Sequence, residues 1–108
     1  MKAWIFLAIA GILEVAWAVG MKYSEGWTKL WPSVFTVFSM VLGLYFLSLA
    51  LKSLPLGTAY AVWTGIGTIG TAVFGMLLFK ESADFLRLFF ISLIFIGITG
   101  LYFSSKAA

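Results

Sequence analysis

Residues 3–21 read AWIFLAIAGILEVAWAVGM, an apolar run interrupted by one acidic residue, Glu14. At about 1.5 Å of rise per residue, a helix through this run crosses most of the roughly 30 Å hydrocarbon core of a bilayer and carries Glu14 deep into it. An ionisable group at that depth costs roughly 2.5 to 3.5 kcal/mol on insertion scales, so it normally faces a partner or a wet cavity. A carboxyl placed there can carry protons or bind cations. The run also has traits of a secretory signal, because Lys2 precedes it and Ala16-Trp17-Ala18 fits a small-x-small cleavage pattern. Against that reading, a glutamate inside the apolar region is unusual for a signal. Cleavage would also leave three spans with no acidic residue in their interiors.

Working outward, the rest of the chain has the same character. With 63% hydrophobic and 10% charged residues in 108, and a mean hydropathy of +1.11, the composition lies far outside that of a soluble domain. Cysteine and histidine are both absent, which removes disulfides, thiolate metal sites and the usual proton shuttle. Any acid–base work falls to carboxylates, and neither a metal nor a cofactor is expected. The net charge of +3 comes from Lys and Arg scattered singly, the pattern of short loops between spans and not of a nucleic-acid surface.

Charges, prolines and turn residues divide the chain into four apolar stretches, near 3–21, 32–51, 57–79 and 85–104. The breaks between them are short, which forces antiparallel neighbours and leaves nothing for a soluble domain. The predicted architecture is one all-α, four-helix transmembrane unit spanning 1–108. Lys2, Lys52 and Lys106 fall on one side of the membrane and Lys22, Lys29, Lys80 and Arg87 on the other, almost no bias. A chain with so little preference can insert both ways and pair as an antiparallel dimer; a single orientation set by a subtler feature is the alternative. Four short helices also enclose too little volume for a substrate path, which independently argues for at least a dimer.

Helical spacing places Ala10, Gly11, Trp17 and Ala18 on the face of Glu14. Three are small, so another helix or a substrate can approach the carboxyl, and the Trp17 indole N–H is a donor that could hold it. A permanently protonated Glu14 making an interhelical hydrogen bond is the structural alternative. Tyr60 and Trp63, three apart in the third stretch, share a face and offer a hydroxyl, an indole N–H and two π surfaces that attract cations. Gly65, Gly67 and Gly70 follow. They either loosen the helix into a hinge or simply permit close packing.

The runs 11–22 (GILEVAWAVGMK) and 54–67 (LPLGTAYAVWTGIG), with the segment Gly26 to Ser33, resemble the small multidrug resistance family of proton-coupled exporters. The likeness covers essentially the whole chain. It implies an antiparallel, dual-topology homodimer in the inner (plasma) membrane, in which the two copies of Glu14 bind either protons or a cationic substrate. It further implies that Tyr60 and Trp63 contact substrate, that Gly65 to Gly67 is a flexible part of the third helix, and that Gly97 packs against the partner's fourth helix. Lys22, which ends the first helix where a cation complements the helix dipole, resembles a family position close to the gating loop.

Trp17 and the stretch from Trp63 to Gly67 look like the guanidinium-exporter branch, which implies guanidinium or a small guanidinyl cation as substrate. Export of hydrophobic quaternary ammonium cations by the same mechanism is the alternative. The sequence departs from the guanidinium branch at Gly43, where the family usually has a serine near the glutamate, and at Tyr102, where lysine is usual. A lost hydroxyl at Gly43 predicts more free space beside Glu14.

The mechanism expected on this reading is antiport by competition. Burial disfavours an ionised carboxyl and facing carboxylates couple their titrations, so proton and cation exclude one another. Planar guanidinium suits a carboxylate through paired N–H donors. A cation channel and a non-transporting assembly subunit are the other classes; a lone carboxylate pair fits occupy-and-release transport better than fast conduction. No second acid, nucleophile or metal set accompanies Glu14, so an enzyme is not expected. Glu25, Glu81, Asp84 and the loop lysines read as solvated or headgroup contacts, and Trp27, Trp31 and Tyr102 as interfacial aromatics.

Overall fold

A computed structural model describes residues 2–107, with side chains described through Ser104; Lys106, counted above, lies beyond those side chains. Four helices account for nearly all of it: α1 (Lys2–Tyr23), α2 (Leu30–Leu51), α3 (Leu56–Leu78) and α4 (Phe85–Ala107). All four are long and apolar enough to cross a membrane. The sequence placed the second stretch from Pro32, but α2 starts two residues earlier. Proline sits comfortably in the first turn, because the N–H it lacks has no intrahelical acceptor there.

α1 is the centre of the unit. It packs along both α2 and α3, α4 approaches α3 alone at the level of the backbone, and α2 scarcely meets α3. Small residues bring these helices close. A Cβ at Gly20 would lie 2.6 Å from Thr36 Oγ1 of α2, and one at Gly11 would lie 2.6 Å from Ile66 Cγ2 of α3. Such approaches replace the hydrophobic effect, which lipid cannot supply, by van der Waals packing. Leu7, Ala10, Leu47, Ala50, Ala59, Val62 and Trp63 form the buried core, near the end of the bundle that holds the α2–α3 turn.

Several hydroxyls inside the spans donate to carbonyls one turn back in their own helices, as suits a hydrocarbon setting. Thr36 donates to Pro32 O at 2.7 Å, Thr68 to Thr64 O at 2.8 Å and Thr99 to Phe95 O at 3.0 Å.

The α1–α2 turn is organised by Ser24, which is fully buried. Its hydroxyl donates to Met21 O at 2.7 Å and accepts the Trp27 N–H at 3.1 Å. Glu25, Gly26 and Trp27 adopt positive φ, so this turn holds two non-glycine residues in the left-handed region. Lys29 pairs with Glu25 at 2.7 Å, and this hydrogen bond and charge hold the Glu25 carboxyl below its usual range.

The α3–α4 turn is tied by charge. Asp84 caps α4, its Oδ1 accepting the Arg87 N–H at 2.9 Å and its Oδ2 the Ser82 hydroxyl at 3.1 Å. The backbone N–H of Arg87, and then the Ser82 hydroxyl, hold the Asp84 carboxyl below its usual range.

α4 itself has no buried residue in its described span. Phe89, Phe90, Leu93, Phe95 and Ile96 are exposed. A Cβ added at Gly97 or Gly100 would meet nothing within 4 Å.

Candidate functional site

Glu14 lies midway along α1 and points at α3. A Cβ at Gly67 would overlap the Glu14 carboxyl, so the glycine is the seat into which the carboxyl fits. One turn on, a Cβ at Gly70 would overlap Val15 in the same way. α3 is an unbroken helix through Gly65, Gly67 and Gly70. Of the two sequence readings of these glycines, close packing is therefore visible directly: Gly65 admits Ile98 of α4 and Gly67 admits Glu14.

Two buried polar atoms have no hydrogen-bond partner among the described residues, Glu14 Oε1 and Trp17 Nε1. The expectation that the Trp17 indole holds the carboxyl is not met within one chain, although both sit on the same side of α1. Their polar atoms are an acceptor and a donor left open in a low-dielectric setting, which is costly unless something else completes them.

Tyr60 and Trp63 are neighbours with unequal surroundings. Their ring centroids are 5.5 Å apart with planes at 55°. Trp63 is 9% exposed and Tyr60 56%. The Trp63 N–H, which the sequence offers to a substrate, instead donates to Ala10 O across the α1–α3 interface at 3.3 Å. Trp63 therefore anchors the helix that carries Glu14, and only its ring remains to meet a cation. Trp63→Phe is expected to lower stability by about 0.6 to 1 kcal/mol through this one lost bond, read as an earlier midpoint when the detergent-solubilised protein is unfolded with SDS.

Gly43 faces Leu13 and Ala10 of α1: a Cβ there would lie 3.2 Å from Leu13 Cβ and 3.7 Å from Ala10 O. α2 has closed onto α1 where a side chain would have held it off. Tyr102 packs edge-on against Trp4, with centroids 4.8 Å apart. Gly97 is exposed and unobstructed on α4, away from Glu14.

Two clefts flank the site. An apolar groove of about 570 Å³ runs along α1 and α3 under α4, lined by Ile12, Val15, Ile66, Ile69, Phe95 and Ile98 among others. A smaller cleft of about 140 Å³ opens at the far ends of α1 and α3, lined by Ala18, Val19, Lys22, Thr71, Gly75, Phe79 and Glu81, two of them charged. Glu81 was read as a solvated charge. It is exposed, in keeping with that reading, and its carboxylate also sits where a Cβ on Gly75 would be and accepts from Arg87 at 2.7 Å. The recurrence of glycine eight residues after Gly67 was the only sequence signal for it.

The arrangement is a half-buried carboxyl with one buried oxygen, an open donor and aromatic rings on helices of membrane-crossing length. The family profile described as Small Multidrug Resistance protein matches residues 2–94. The chain belongs to the small multidrug resistance family. Full-length relatives agree with that membership: the chain is 52% identical to a guanidinium exporter of Proteus vulgaris over 103 residues, 95% of this chain and 99% of that one. It is 54% identical to a guanidinium exporter of Escherichia coli strain K12, over 95% of this chain and 98% of that one. A guanidinium exporter of Yersinia pestis is 53% identical over 95% of this chain and 99% of its own. Small multidrug resistance membership and four membrane-crossing helices make this a multi-pass membrane protein. The family match ends at residue 94, so Gly97 lies outside it and within the part of α4 covered by the relatives alone.

Proposed function

We propose that this protein exports guanidinium or small guanidinyl cations across the inner membrane in exchange for protons. It works as an antiparallel, dual-topology homodimer. The observation that carries the reading is the buried, unpartnered Glu14 Oε1 seated on Gly67, in a chain whose relatives over nearly their full length are named guanidinium exporters.

The chemistry follows from that atom. With a proton on it, Glu14 is neutral and has nothing to offer a cation. Ionised, it accepts paired N–H donors from a planar guanidinium, the fork geometry that suits carboxylates. One occupant excludes the other, which is the coupling. The free Trp17 N–H can steady the ionised carboxylate, and the exposed Tyr60 ring and hydroxyl provide a wall for the cation. Gly97 and the bare outer face of α4 are where a second copy packs, bringing its own Glu14 to complete the chamber. Rocking of one half against the other then exposes the shared site to each side in turn.

The test is substrate-driven proton release from the purified protein in weakly buffered detergent. Guanidinium and tetrapropylammonium are titrated side by side. Saturable release with guanidinium and little with tetrapropylammonium is expected. The reverse order would move the protein to export of hydrophobic quaternary ammonium cations. Release by neither would remove the antiport reading.

A further inference from the structure

The α3 helix seats two carboxylates from other parts of the chain, Glu14 at Gly67 and Glu81 at Gly75. Both glycines belong to one stripe of α3, eight residues and so about 12 Å apart along the axis. Between them lies Thr71, opposite Ala18 of α1, itself one turn beyond Glu14. Ala18 and Thr71 also line the small cleft that includes Lys22 and Glu81. Small side chains thus form a lane on α1 and α3 between the two carboxylates, with the cleft occupying its outer part.

The outer end already holds cations, all of them the chain's own. The Arg87 guanidinium donates from Nη2 to Glu81 Oε1 at 2.7 Å and from Nη1 to the backbone carbonyl of Ser82 at 2.9 Å. Lys22 Nζ lies 5.8 Å from the centre of the Phe79 ring. A carboxylate, a backbone carbonyl and an aromatic face are the groups that bind a guanidinium, and here one is bound to two of them. The pair is weakly held, because its side chains are 32% and 40% exposed and exposed ion pairs gain little over water. A water's share of liquid volume is about 30 Å³, so a cleft of about 140 Å³ has room for a planar ion of guanidinium's size.

We propose that Glu81 is an outer cation site, at which substrate guanidinium displaces the Arg87 side chain before passing along the lane to Glu14. This deepens the export reading and rests on it for the identity of the substrate. Arg87 acts as a tethered competitor. It keeps the mouth of the lane from standing as an open negative charge and yields to a cation of its own shape.

Arg87 is the only arginine in the chain, so its guanidinium Nε resonance is unambiguous. Guanidinium chloride is titrated at millimolar concentrations into the full-length Glu14→Gln protein, which lacks the central site, with sodium chloride at matched ionic strength as control. A saturable shift of the Arg87 Nε signal with guanidinium alone, absent when Glu81→Gln is added, is expected. Transport by otherwise wild-type protein gives a second readout. Arg87→Gln should lower the KM for guanidinium several-fold and Glu81→Gln should raise it several-fold, each with kcat little changed. A clasp that merely orders the turn predicts the same direction of change for both variants. That result, or a shift no larger than in sodium chloride, would overturn the outer site. Proton release by the wild-type protein, run alongside, separates the two ideas: release without a shift leaves export standing and removes Glu81, whereas a shift without release does the opposite.

Discussion

Glu14→Gln is expected to abolish guanidinium-driven proton release and to reduce exchange by at least about a hundredfold. The glutamine amide has nearly the shape of the carboxyl and still fits the seat at Gly67, so the helix packing survives. What is lost is the negative charge and the titratable proton. A charge-assisted hydrogen bond contributes about 1.5 to 3 kcal/mol, two of them to a planar cation about twice that, and each 1.4 kcal/mol is a factor of ten in binding. The measurement is a pair of titrations, guanidinium binding by calorimetry and proton release in weak buffer. Unfolding in SDS serves as the control that the variant is intact. A variant that remained folded and still exchanged protons for guanidinium would place the coupling on another group.

Gly67→Ala should be nearly as damaging, for a reason of space alone. The added methyl would occupy the position of the Glu14 carboxyl, so either the carboxyl swings out of its seat or α3 moves off α1. Displacing a reacting group by about 1 Å can cost about a hundredfold, and a loss of tenfold to a hundredfold in transport is expected here. Gly57→Ala is the matched control: it lies on the same helix, and a Cβ there would meet nothing within 4 Å. If Gly67→Ala transports normally while Gly57→Ala does too, the seat has no functional weight. If both lose activity, α3 needs flexibility along its length and the hinge reading of its glycines gains support.

The fold was legible because hydrocarbon imposes it. Twenty or so apolar residues between charged breaks can only be a span, and four such stretches with short connections leave one antiparallel arrangement of neighbours. Glu14 was legible for the same reason, as an acid where acids are costly. The partners were not. Periodicity says which residues share a face of one helix but not which residue of another helix they meet. It therefore placed Tyr60 beside Trp63 correctly yet left the Trp63 N–H free, where Ala10 O claims it. Gly43 shows the same gap: the sequence set it near Glu14, and the atoms a side chain there would meet belong to Leu13 and Ala10. Glu81 was passed over because a carboxylate in a turn is ordinarily solvated, and only the approach of the turn to Gly75 distinguishes it.

The contacts between helices also follow the order in which a ribosome delivers them. α2 packs on α1, α3 packs mainly on α1, and α4 approaches α3 and no other helix at backbone level. Each segment entering the bilayer therefore finds its principal neighbour already there, and none has to wait for a later one or displace an earlier one. The α1–α3 pairing still closes a long loop, since Trp63 and Ala10 are 53 residues apart, but it closes around an α2 already docked on α1. The last helix to arrive is the one most loosely attached, so a nascent chain stalled before residue 85 would already hold Glu14 against its glycine.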